Sequence, residues 1–145
     1  MQNVRSIPLV FQEISNKKTH LEKVKHLKEN RNEMIDFLLL LTFSADHKIN
    51  LPEGDPPYES PGEADLYNST LLYANRRIIE MFVNNNASHL NEMKKEQLWI
   101  DMLENLSPLE AQLVNEVKDK NLKSYPGIRK KVIQKVYPDW NYLPD

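Results

Sequence analysis

A chain of 145 residues, 40% apolar and 28% charged, is sized for one domain that buries about two-thirds of its unfolded surface. It contains no cysteine, which excludes disulfides, thiolate metal centres and cysteine nucleophiles and makes a reducing cytosol its natural setting. A net charge of −2 neither favours nor excludes nucleic acid as a partner.

The dominant period is helical. Ser6, Pro8 and "LVFQEI" predict a short first helix with a capped start. Thr19 and Glu22 form a T-x-x-E capping box, so a second helix should run from about residue 20 to about 29. Asn30 or Asn32 caps a third, "EMIDFLLLLTFS". Its apolar residues go nearly all round, which marks a central buried helix. A fourth helix is expected over 67–83, with Leu71, Ile78, Ile79 and Phe82 on one face and Arg76, Arg77 and Glu80 opposite. A fifth, over 89–105, places Trp99, Met102, Leu103 and Leu106 at helical spacing. Ser107-Pro108-Leu109-Glu110 joins an N-cap, proline at N1 and a capping-box glutamate, and opens a sixth helix through Lys120. "YPGI" opens a seventh that ends before "YPDW". No segment alternates like a strand, though isolated extended residues fit near 49–51. The expected fold is a compact, all-α, single-domain bundle of six to seven helices over residues 1–145.

Residues 49–66, "INLPEGDPPYESPGEADL", hold four prolines, two glycines, five acidic residues and no basic one. Such composition suits a semi-rigid linker. Neither flank is long enough for its own core, however, and the apolar third helix needs cover. The stretch (45–66) is therefore expected to be an ordered strap with its acidic side chains outward. Charge is unevenly spread. Residues 1–31 carry seven basic and three acidic residues, 46–65 six acidic and one basic, and 118–135 seven basic and one acidic. That order either closes the acidic loop on a basic end or displays separate faces to partners.

The chemistry of an active site is hard to find. His20, His26, His47 and His89 do not pair at helical metal-site spacing, and Asp46-His47 reads as a solvated turn. There is no G-x-S-x-G, the glycines are scattered, and "EGDPPYE" has prolines where calcium ligands would sit. Asp36 is the one carboxylate expected to be partly buried. No catalytic residue, metal or cofactor is assigned. In the last helix Lys130, Lys131, Gln134 and Lys135 share an arc opposite Ile128, Val132, Ile133 and Val136. With Lys123 these lysines form a candidate basic binding face, which as a helix-turn-helix reader would be poor in base-reading side chains. The strap (Glu53, Asp55, Tyr58, Glu59) and the aromatic–acidic tail over 137–145 (Trp140, Tyr142) are the candidate acidic surfaces. Short tails of this kind serve as peptide ligands, or else Trp140 and Tyr142 tie the tail to the core. The first 18 residues lack a signal peptide's apolar stretch, and "FLLLLTF" is far too short to span a bilayer. No membrane partner is expected.

Three stretches, "LPEGDPPYE", "MKKEQLWIDMLENLSPLEAQLVNEVKDK" and "GIRKKVIQKVYP", together resemble a family of small proteins from contractile-tailed phages, including phages of cyanobacteria. The matching positions are Leu51 to Gly54 and Pro56 to Tyr58, then Lys95, Glu96, Leu103 and Glu104, then Pro108, Ala111 and Lys118 to Lys120, and last Gly127, Ile128, Lys130 and Lys131. "FVNNNASHL" departs from the resemblance, which carries a glycine turn there. The resemblance implies a phage context and no mechanism. The function expected is that of a non-enzymatic accessory protein in the host cytoplasm, binding a protein of the replication or transcription machinery. A minor neck or baseplate protein of the virion, or a direct nucleic-acid binder, are the alternatives.

Overall fold

The computed structural model describes residues 6–58, 70–84 and 90–143. These residues form eight α-helices: α1 (Ile7–Asn16), α2 (His20–Asn30), α3 (Glu33–Phe43), α4 (Thr70–Ala74), α5 (Arg76–Met81), α6 (Glu92–Glu104), α7 (Pro108–Lys118) and α8 (Lys130–Val136). Among the described residues extended pairing is limited to two isolated bridges, Ser44 with Tyr142 and Ile49 with Val83. The fold is all-α.

The helix starts follow local rules. Ser6 Oγ accepts from Leu9 N at 3.3 Å and Thr19 Oγ1 from Glu22 N at 3.1 Å. Of the two asparagines, Asn32 is the cap of α3, its Oδ1 accepting from Ile35 N at 2.9 Å. The capping box at α7 is complete: Ser107 Oγ accepts from Glu110 N, and Glu110 Oε1 accepts from Ser107 N. α3 buries Met34, Ile35, Leu38, Leu39, Leu41 and Thr42 around its circumference. It packs on α7 and α8; α1 packs on α2 and α7, and α2 on α8. Trp99 of α6 meets Phe82 edge to face at 5.2 Å and donates its indole N–H to Asn115 Oδ1 at 3.1 Å.

Two expected helices change. The fourth breaks at Asn75 into α4 and α5, which takes the helix count to eight. Asn75 adopts φ −95°, ψ 8°, and its N–H and C=O make tight bonds to Leu72 O and from Ile78 N. Asparagine favours such local alternatives to the helical ladder. The last helix begins at Lys130 rather than in "YPGI". Pro126 and Gly127 instead occupy the centre of a turn closed by Ile128 N to Tyr125 O at 3.0 Å. The link 119–129 is too long and too folded for a helix-turn-helix.

Candidate functional site

The best-formed cavity lies under the first half of the Pro-rich strap. The strap leaves α3 through Ile49, which is buried and bridges Val83, with Asn50 N donating to Phe82 O at 3.2 Å. It is then latched to the end of α7. The Lys118 ammonium donates to Pro52 O at 2.8 Å, Gly54 O at 3.0 Å and Asp119 Oδ1 at 2.6 Å, so its three protons all have acceptors. Asp119 in turn accepts from Gly54 N at 3.1 and 3.2 Å. The reversal needs φ +94° at Gly54, a left-handed conformation that a Cβ would strain. Lys120, itself at φ +56°, donates to Leu41 O at 2.7 Å and Ser44 O at 2.8 Å, capping the last turn of α3. Burial lowers the pKa of this lysine. Lys118, Asp119 and Lys120 are thus a fastening between α3, the strap and α7.

Beneath the latch is a cavity of about 170 Å³ with apolar walls from Leu51, Pro52, Pro56 and Trp99 and three exposed carboxylates, Glu53, Asp55 and Glu96, at its lining. Tyr58 is half-buried against the core. Its hydroxyl pKa is raised, chiefly by burial and then by the Asp55 carboxylate. Glu59 and the rest of the acidic stretch lie outside the described residues, as does "NNASH" of the departing loop.

The tail returns to the end of α3. Ala45 N donates to Asn141 O at 2.7 Å and Leu143 N to Phe43 O at 3.2 Å. Trp140 stacks on Tyr137 at 4.0 Å, and the Tyr142 hydroxyl donates to Tyr137 O and to Ile133 O. Both tail aromatics are therefore partly buried. Lys130, expected on the free basic face, instead donates to Leu143 O at 2.9 Å and helps to hold this tail. Asp36 is half-buried, as expected, accepting from Arg31 at 3.0 Å and from the Tyr137 hydroxyl. It is not the deepest carboxylate, however. Glu110 and Glu116 are 2% and 1% exposed. Glu116 accepts from Gln112, from Ser124 N at 2.9 Å and from Ser124 Oγ, which pins the link after α7.

The buried phenols make the fold alkali-sensitive. Burial raises Tyr142 to about 12, and burial followed by the Glu116 charge raises Tyr125 to about 12. Tyr137 is raised further by burial and its bond to Asp36. The unfolded phenols lose their protons near pH 10 and the folded ones higher, so stability is full below about pH 10 and falls as pH rises toward about 12. Urea midpoints measured from neutral pH upward should decline only in that window.

Lys131 and Lys135 are exposed and line, with His20 and Gln134, an open groove of about 510 Å³ between α8 and the start of α2. Lys123 is exposed in the 119–129 link. A further groove of about 460 Å³ runs between α3, α5 and the tail, where Arg31 lies over Tyr137 and Arg76 over Phe37. Each of these guanidiniums is already paired, with Asp36 and Glu80 respectively. Among the described residues no group of three or more His, Asp or Glu is placed to hold a metal, and no helix is long and apolar enough to cross a membrane.

No local pattern in the sequence announces the latch. Its one signal is Lys118 itself, a lysine four residues after Val114 on the inward face of α7.

The architecture defines a small all-α protein whose acidic strap is latched over a pocket. The chain belongs to the family of unknown function DUF6433, whose model matches residues 10–124. That span holds the strap, the latch and the pocket, while α8 and the tail lie beyond it. No curated protein and no solved structure matches the chain.

Proposed function

We propose that this is a non-enzymatic phage accessory protein that acts in the host cytoplasm and binds a protein component of the replication or transcription machinery. The observation that carries the reading is the latched pocket. Its apolar walls end in Glu53, Asp55 and Glu96, while the one cation in its lining, Lys118, is fully engaged elsewhere. A lysine or arginine side chain of a partner matches both parts, with its aliphatic stem against Leu51, Pro52 and Pro56 and its charge at the carboxylates. Proteins that handle nucleic acid present such side chains in number. The latch residues are occupied in holding the strap, which fits a docking role better than a catalytic one.

The test is affinity capture from infected cells with the wild-type chain and with E53K/E96K as baits. Both glutamates are exposed, so the double variant should keep its circular dichroism and melting temperature. Replication or transcription proteins should be captured by the wild type and lost with the variant. Recovery of virion proteins alone would overturn this reading in favour of a neck or baseplate part.

A further inference from the structure

We propose that the face formed by α2 and α8 binds the phosphate backbone of duplex nucleic acid without reading its sequence. This stands independently of the strap pocket, with which the face shares no residue. The two segments are far apart in the chain, yet they pack together, α2 burying Val24 and Leu27 and α8 burying Val132, Ile133 and Val136. Residues 17–30 and 129–136 hold nine basic and two acidic residues, a local balance of +7 in a chain of −2 overall. The two acidic residues, Glu22 and Glu29, line a different groove together with Lys17, Lys25 and His26, and the His26 ring meets Glu13 of α1. The groove between α2 and α8 is left with His20, Lys131, Gln134 and Lys135 and no carboxylate.

That arrangement opposes the fold. Lys131 and Lys135 are like charges four residues apart on a seven-residue helix that carries no acidic residue to offset them. A polyanion removes the repulsion. The chemistry selects among polyanions. Lysines bind phosphate as point charges, and Gln134 is the one amide in the groove that could pair bidentately with a base. The groove has no Phe, Tyr or Trp, and the single imidazole of His20 is a poor platform for successive unpaired bases, which favours duplex over single strand.

Fluorescence anisotropy with a labelled duplex of arbitrary sequence tests this. Neutralising about four phosphates predicts that affinity falls about a hundredfold between about 50 and about 200 mM salt. K131E/K135E should weaken binding at least about tenfold and flatten the salt slope by about two contacts, with an unchanged melting temperature, since both lysines are exposed. Two duplexes of unrelated sequence should bind alike. The proposal is overturned by no binding at low salt, by equal binding of K131E/K135E, or by preference for a single strand. Competition by polyglutamate as effective as by DNA would also overturn it and assign the face to an acidic protein.

Discussion

Replacing Lys118 by methionine is expected to cost about 3–5 kcal/mol and to release the strap, because one partner of a buried charged cluster is lost while the others stay. The Lys118 side chain is 2% exposed and that of Asp119 16%. Methionine keeps the length and apolar contacts of the lysine stem but supplies no donors. Pro52 O and Gly54 O then lose their bonds to the ammonium, and Asp119 retains its bonds from Gly54 N without the neighbouring cation. Pro52 and Gly54 are exposed, so water takes up part of what their carbonyls lose, and the larger cost is the Asp119 carboxylate left without its cation. The melting temperature should fall by about 10 °C or more for a chain of this size. The loss should be local before it is global. The Gly54 amide should exchange faster, and Trp99, which is 1% exposed beneath the strap, should emit to the red. Lys123→Met, an exposed lysine in the next link, should stay within about 0.5 kcal/mol of wild type. Equal stability of the two variants would mean that the latch contributes nothing.

How far the sequence revealed this depended on whether a feature is local. Caps need only residues within a turn of one another, and Ser6, Thr19, Asn32 and Ser107 all cap their helices, although the reciprocal bond of a capping box forms at Glu110 and not at Glu22. The central place of α3 follows from apolar residues on every side. The break at Asn75 is hidden because Leu72 and Ile79, seven residues apart, stay on one face across it. In "YPGI" two rules compete, proline as a helix opener and Pro-Gly as a turn, and the turn wins with its own hydrogen bond. The strap's fastening is not legible in the sequence, because the acceptors of Lys118 are backbone carbonyls more than sixty residues away, and every residue type carries those. Lys130 illustrates the same limit. A helical wheel groups it with Lys131, but the returning tail brings Leu143 O within reach and removes it from the open face.

Gly127→Ala should cost about 3 kcal/mol through overpacking, and the reason bears on the basic face. A Cβ at this position would stand 2.1 Å from Ser15 O and 2.7 Å from Ser15 Cα. Both obstacles are backbone, in the last turn of α1, so no rotamer change can relieve them. The turn at 125–128 must retreat, which also breaks the 2.8 Å bond from Gly127 N to Ser15 Oγ, worth about 1 kcal/mol. α8 follows this turn directly and packs on α2, which packs on α1. Displacing the turn therefore loosens α8 against α2 with every lysine still in place. Gly127→Ala should lower both stability and duplex affinity, whereas K131E/K135E should lower affinity alone. Removing the Ser15 side chain should not rescue the variant, because the clash is with its carbonyl oxygen. Urea unfolding of G127A and S15A/G127A decides the point: recovery in the double variant would place the conflict in the side chain and refute the backbone account.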